Sequence, residues 1–97
     1  MIPRYTREVM QKLWSEEEKL RSWLLVEFYA MEAWYRLGKV PEGDYQILKE
    51  KLSPYMERGF TAENVKRVEE IERETKHDVI AFLTHLAEIA GPSARYL

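Results

Sequence analysis

The chain has 97 residues, which is enough for one domain with a modest hydrophobic core. One third of the residues are charged, the formal net charge is −2, and the basic residues form no continuous face. This composition excludes a typical nucleic-acid-binding protein and a disordered tail, and the absence of cysteine excludes a disulfide framework and thiolate chemistry.

No stretch of the sequence approaches the roughly 20 apolar residues that are needed to cross a bilayer. Residues 3–8 are too polar for the start of a signal peptide. We therefore expect a soluble, cytoplasmic protein with no membrane partner.

The first long helix is predicted from Ser15 to about Leu37. Ser15-Glu16-Glu17-Glu18 is a capping-box pattern, and Gly38 followed by Pro41 indicates the end of the helix. One apolar stripe consists of Leu20, Leu24, Phe28, Met31 and Tyr35. A second stripe beside it consists of Trp23, Val26, Ala30, Ala33 and Leu37. Because the two stripes form a wide apolar arc, this helix needs neighbours on more than one side.

Two further helices are predicted in the middle of the chain. A short one passes through Tyr45, Leu48 and Leu52, and Ser53-Pro54 and Gly59 indicate a loop after it. Thr61 is the predicted N-cap of the next helix. Its narrow buried stripe consists of Val65, Val68 and Ile71, and its predicted i,i+4 ion pairs are Glu63/Arg67, Lys66/Glu70 and Glu69/Arg73.

The last helix is predicted to begin at Thr75, as N-cap, with Asp78 three residues later, and to end at Gly91-Pro92. Its predicted buried stripe consists of Val79, Phe82, Leu83, Leu86 and Ala90. We find no segment with strand periodicity and turn signals. The predicted fold is a single all-α domain over residues 1–97, with about four helices.

The first turn of the last helix is a candidate anion site. Unpaired backbone N–H groups and the positive end of the helix dipole favour an anion beside His77. A neutral imidazole can donate one hydrogen bond to a phosphate or carboxylate, and Lys76 would add a charge-assisted contact. Asp78 would support the helix end. On spacing alone, however, a single histidine near a helix cap is more often exposed or packed than functional.

Other candidate residues are weaker. Arg4 offers a planar fork for bidentate phosphate contact and Tyr5 can stack and donate, in an extended arm after Pro3, although an ordinary frayed terminus is the simpler interpretation. His85 and Glu88 are three residues apart and supply half a metal site without a third ligand, so we predict no metal. Nor do we predict a cofactor, since no glycine-rich phosphate loop is present.

Trp14, Trp23 and Trp34 are interpreted as core or interface anchors, because they lie on or beside the apolar arc of the first helix.

Several segments together resemble the N-terminal domain of the adenylosuccinate lyase family, in the fumarase/aspartase superfamily. They are the octet Thr75-Lys76-His77-Asp78-Val79-Ile80-Ala81-Phe82, the opening Arg4-Tyr5-Thr6, the stretches Leu13-Trp14-Ser15 and Trp23-Leu24-Leu25-Val26-Glu27, and residues 33–41. Two departures are visible, since Thr6 replaces the usual serine and the loop from Ser53 to Phe60 is longer.

The resemblance implies a substrate-binding role for Arg4, Tyr5, Lys76, His77 and Asp78, with His77 as a possible auxiliary in catalysis. The implied reaction is β-elimination of fumarate from adenylosuccinate, giving AMP, and from the succinyl-carboxamide ribotide SAICAR, giving AICAR. The implied assembly is a homotetramer.

The family's catalytic acid and base lie in segments that this sequence does not contain, so the chain alone is expected to be inactive. The alternatives are a superfamily lyase with another substrate and a non-catalytic helical interaction module.

Overall fold

The computed structural model describes the backbone of residues 4–97 and the side chains from residue 16 onward. Within that range the chain forms four α-helices, followed by a short 3-10 helix, and no strand. The helices are α1 (Arg4–Arg36), α2 (Glu42–Arg58), α3 (Ala62–Thr75) and α4 (Asp78–Ala90), and the 3-10 helix is Gly91–Tyr96. The predicted all-α fold with about four helices is confirmed.

Helix α1 begins eleven residues before the predicted start at Ser15. The predicted capping box is therefore wrong, and so is the extended arm at Arg4 and Tyr5, whose backbone is helical. Residues 7–14 contain neither glycine nor proline and consist mostly of strong helix formers, so nothing forces the chain out of the helix before Ser15. An N-cap pattern acts only where the preceding residues leave the helical conformation.

The end of α1 lies within one residue of the prediction. Gly38 adopts a φ of 78°, which an L-residue rarely adopts, and the Lys39 N–H donates to the Trp34 carbonyl at 2.9 Å. The chain then turns through Pro41 into α2.

Helix α2 continues through Ser53 and Pro54, where a loop was predicted. Proline removes one backbone donor, but the helix is retained because its last turn is packed against neighbours. The Tyr55 ring stacks on Phe60 at 5.0 Å, and the Arg21 Nε donates to the Met56 carbonyl at 2.9 Å. The predicted break at Gly59 is confirmed, since Gly59 caps the helix with a φ of 85°.

The core lies where the first stripe of α1 meets the other three helices. Phe82 of α4 is fully buried at its centre, and its ring meets Trp23 and Phe60 edge-on at 5.7 Å each. The buried apolar residues include Leu20, Leu24, Phe28, Met31, Leu48, Leu52, Val65, Val68, Ile71 and Leu86. On α4 the predicted stripe is correct for Phe82, Leu86 and Ala90, whereas Leu83 is half-buried and Val79 is exposed.

Helix α3 begins as predicted. The Thr61 side chain accepts from the Asn64 N–H, and the Asn64 side chain accepts from the Thr61 N–H, which forms a complete capping box. None of the three i,i+4 ion pairs predicted for this helix forms within the described side chains. Arg67 instead pairs with Glu70 of α3 and with Glu88 of α4.

Candidate functional site

The turn between α3 and α4 contains three of the five predicted substrate-binding residues. Thr75 is the last residue of α3, Lys76 follows in the left-handed region with φ 56° and ψ 26°, and His77 is the N-cap of α4. Lys76 is the one non-glycine residue with positive φ among those that the structure describes. Left-handed backbone costs an L-residue about 1–2 kcal/mol, so a strained conformation places a lysine beside His77.

His77, rather than Thr75, caps α4, so the prediction that Thr75 is the N-cap is wrong. The His77 Nδ1 accepts a hydrogen bond from the Ile80 N–H at 3.3 Å. The Thr75 hydroxyl bonds instead to the His77 backbone, donating to the carbonyl at 3.1 Å and accepting from the N–H at 3.3 Å. Two residues between the helices leave Thr75 in the last turn of α3, where its side chain closes the turn.

The capping bond fixes the chemistry of the His77 ring. Because Nδ1 is an acceptor, the neutral ring carries its hydrogen on Nε2. The side chain is 55% exposed, so this N–H is available to a ligand. His77 is therefore a hydrogen-bond donor held in place by the helix that it caps.

The backbone of this helix end contributes less to anion binding than the sequence suggested. The Val79 N–H is taken by the Asp78 carboxylate at 2.8 Å, and the Ile80 N–H is taken by His77. The predicted support of the helix end by Asp78 is confirmed by its bond to Val79. The donors that remain accessible are chiefly the Lys76 ammonium and the His77 ring, while Asp78 adds a half-exposed acceptor.

An apolar depression of about 120 Å³ lies beside the turn. It is lined by Trp23, Val26, Glu27, Val79 and Phe82, and thus by the middle of α1 and the start of α4. Ligand pockets for molecules of drug size usually measure about 300–1,000 Å³, so this depression is too small to enclose a nucleotide.

Arg4 and Tyr5 lie in the first turn of α1, but their side chains are outside the described residues. The contacts predicted for this pair therefore stay predictions. The same holds for Trp14, whereas Trp23 is half-buried against Phe82 and Trp34 is 54% exposed.

A polar network around the buried His85 joins α3 to α4, and the sequence analysis missed it. His85, only 7% exposed, lies between the Asn64 amide nitrogen, 3.0 Å from Nε2, and the Glu88 carboxylate, 3.0 Å from Nδ1. The Arg67 guanidinium donates to Glu88 from Nε at 3.1 Å. Arg67 first, and then His85, lowers the pKa of Glu88 to about 2.

The network gives His85 and Glu88 a structural role. Nε2 must accept from the Asn64 NH₂ group, because the oxygen of that amide is occupied by the Thr61 cap. The sequence indicated this network through the i,i+3 spacing of His85 and Glu88. The other two partners, Asn64 and Arg67, become apparent only from the packing of α3 on α4. No group of three or more potential metal ligands occurs among the residues described.

None of the described helices is both long enough and apolar enough to cross a membrane.

Comparison with known proteins finds similar sequences. The chain is 40% identical, over all 97 residues, to adenylosuccinate lyase from Streptococcus mutans. The chain spans about 20% of the length of that relative. No protein-family model matches the chain, and no solved structure matches it significantly. An identity of 40% over the whole chain confirms the resemblance to adenylosuccinate lyases.

Proposed function

We propose that this relative of adenylosuccinate lyases is a substrate-orienting helical domain of such an enzyme. The complete protein would release fumarate by β-elimination from adenylosuccinate and from SAICAR. The observation that carries the proposal is the similarity over all 97 residues of this chain, together with the α3–α4 turn, which presents Lys76 and His77 to solvent.

The residues of the turn would bind the nucleotide part of the substrate. The Lys76 ammonium supplies charge, the His77 Nε2–H donates to an oxygen of the substrate, and the Asp78 carboxylate accepts from a hydroxyl or amine. Arg4 and Tyr5 would contact the phosphate end, as the family pattern implies. Binding energy from these remote groups orients the C–N bond that breaks.

The proton transfers of the reaction would come from other parts of the complete enzyme. A base removes the proton next to a carboxylate, and an acid assists departure of the nitrogen. The small size of the depression beside the turn supports a site completed by further segments, which fits the proposed homotetramer. We therefore expect the 97-residue chain by itself to release no fumarate. A cytoplasmic location stays a prediction.

The test uses a chimera in which residues 1–97 replace the matching segment of the Streptococcus mutans enzyme. We expect the chimera to release fumarate from adenylosuccinate and the isolated chain to release none. The decisive variant is His77→Asn, because asparagine is an excellent N-cap that keeps the helix end but replaces the imidazole Nε2–H donor with a shorter amide. Loss of one charge-assisted hydrogen bond is expected to lower kcat/KM by roughly 10- to 100-fold.

Thr84→Asn is the matched control, since it makes a similar polar change at an exposed position on α4, seven residues after the cap. Its kcat/KM should stay near that of the unmodified chimera. Unchanged kcat/KM in a folded His77→Asn chimera would refute the role of His77, and a folded chimera without lyase activity would refute the proposed function.

A further inference from the structure

The polar network between α3 and α4 has one hydrogen-bonding arrangement, and a backbone group fixes it. The Thr61 N–H can only donate, and it lies 3.0 Å from the Asn64 Oδ1. The Thr61 hydroxyl lies 2.9 Å from the same oxygen. The amide oxygen of Asn64 therefore faces the start of α3, and its NH₂ group faces the His85 Nε2 at 3.0 Å.

The neutral His85 ring fits this arrangement in one tautomer. Because Nε2 accepts from Asn64, the ring hydrogen is on Nδ1, from which it is donated to the Glu88 Oε1 at 3.0 Å. Glu88 stays an acceptor at neutral and mildly acidic pH, since Arg67 and then His85 lower its pKa to about 2. Both nitrogens of the neutral ring are thus matched with a partner.

A second proton on the His85 ring does not fit this arrangement. It would add to Nε2, and the new N–H would then face the Asn64 NH₂ group, so that two donors would meet at 3.0 Å. The residue is only 7% exposed, which leaves the ring little access to water as an alternative acceptor. Turning the amide over would give Nε2–H an acceptor, but it would place the NH₂ group against the Thr61 N–H and break the capping box.

The charged groups around the ring do not remove this conflict. Glu88 faces the ring from α4 and bonds to Nδ1 whether or not Nε2 is protonated, and Arg67 contacts Glu88 from α3. Glu70 is joined to the network through Arg67. Within the described side chains, no residue of α1, α2 or the 3-10 helix forms a hydrogen bond or an ion pair with these residues.

From this geometry we infer that His85 is a proton-operated switch for the start of α3. While the ring is neutral, the Asn64 side chain caps the helix. When Nε2 takes up a proton, the amide turns over, the ring gains an acceptor, and the hydrogen bond from the Thr61 N–H is lost. Histidine is the side chain that ordinarily changes charge between about pH 5 and 8, so the switch belongs to that range. The inference does not rest on the proposed function.

An NMR titration of the isotope-labelled 97-residue chain, from about pH 8 to about pH 5, tests the inference. At the upper end the His85 ring should carry its hydrogen on Nδ1. As the ring takes up a proton, the Thr61 amide proton should shift upfield with the same midpoint, because its hydrogen bond is lost. The Tyr45 amide is the internal control, since it donates to the Pro41 carbonyl at the start of α2, where no side chain caps the helix. It should not follow His85.

Asn64→Asp separates protonation of the ring from loss of the cap. A carboxylate has an acceptor for each neighbour, so one oxygen can accept from the Thr61 N–H while the other accepts from the protonated His85. This variant should take up the His85 proton at a higher pH than the unmodified chain, and its Thr61 amide should not move with that midpoint. His85→Gln removes the titrating ring and should leave the Thr61 amide unchanged over the whole range.

His77→Asn is the control for the second histidine of the chain. His77 caps α4 and has no contact with Asn64 among the described hydrogen bonds, so the variant should keep the shared midpoint of His85 and Thr61.

Four results would overturn the inference. They are a neutral His85 ring with its hydrogen on Nε2, a Thr61 amide that stays fixed while His85 titrates, a Thr61 shift that persists in His85→Gln, and a ring that stays neutral down to about pH 5. None of these measurements involves fumarate release. Failure of the switch therefore leaves the proposed function intact, and an inactive chimera leaves the switch standing.

Discussion

Replacing Lys76 by glycine should stabilise the domain while impairing its proposed task. Lys76 has a φ of 56°, a conformation that costs an L-residue about 1–2 kcal/mol relative to glycine. Relief of this strain is partly offset, by roughly 0.5–1 kcal/mol, because glycine has greater conformational freedom in the unfolded chain. The expected net gain is about 0.5–1 kcal/mol, which for a chain of this size raises Tm by about 2–8 °C.

The assay is thermal and urea unfolding of Lys76→Gly beside Lys76→Ala. Alanine removes the ammonium but keeps the Cβ atom that causes the strain, so Lys76→Ala isolates the effect of charge. Gly91→Ala is a control for backbone strain, because Gly91 has a φ of 76° and a ψ of −155°, a conformation that essentially only glycine adopts, and should lose about 1–3 kcal/mol. If Lys76→Gly is no more stable than Lys76→Ala, the turn is not strained and the reasoning fails. In the chimera, both Lys76 variants should raise KM if the ammonium binds substrate.

Three further predictions concern the packing of α3 and α4. Asn64→Ala should cost about 1–2 kcal/mol in urea unfolding, since it removes the side-chain half of the capping box with Thr61 and a partner of a buried histidine. A loss no larger than that of an exposed control would contradict this. The pKa of Glu88 is about 2 in the folded chain, which is below its unfolded value. The ionised Glu88 therefore stabilises the fold fully above the unfolded pKa, and this contribution is lost as the pH falls toward 2. Arg67→Gln should make the free energy of unfolding depend less on pH between about pH 5 and 2. Phe82→Ala should cost about 3–5 kcal/mol, enough to unfold much of a marginal domain by circular dichroism, and a fully folded variant would show that the core is organised differently.

The sequence predicted helix ends well where local chemistry decides them. Gly38, Gly59 and Gly91 each adopt positive φ after a helix, and Thr61 caps α3 with its own side chain. Such signals act within three or four residues and need no neighbour. Local signals gave wrong predictions at Ser15 and Pro54, where a helix start and a loop were expected. The chain stays helical at both positions because of the helix propensity of the flanking residues and their packing.

The arrangement of the candidate site could be predicted in part, because its residues are neighbours in the sequence. Lys76, His77 and Asp78 were selected by resemblance, and their adjacency in the chain ensures that they lie together. The division of roles was not predictable, because whether Thr75 or His77 caps α4 depends on where α3 ends. The partners of His85 were also hidden, since Asn64 is 21 residues away in sequence.

The sequence by itself determined the helical class and the apolar period of every helix, because both follow from spacing along one chain. Only the tertiary structure decided which of the two stripes of α1 is buried. The stripe through Leu24 and Phe28 meets the other helices, while the second stripe is exposed apart from the half-buried Trp23. The physical reason is that three short helices cover only part of the surface of α1, so its wide apolar arc exceeds what this domain can bury.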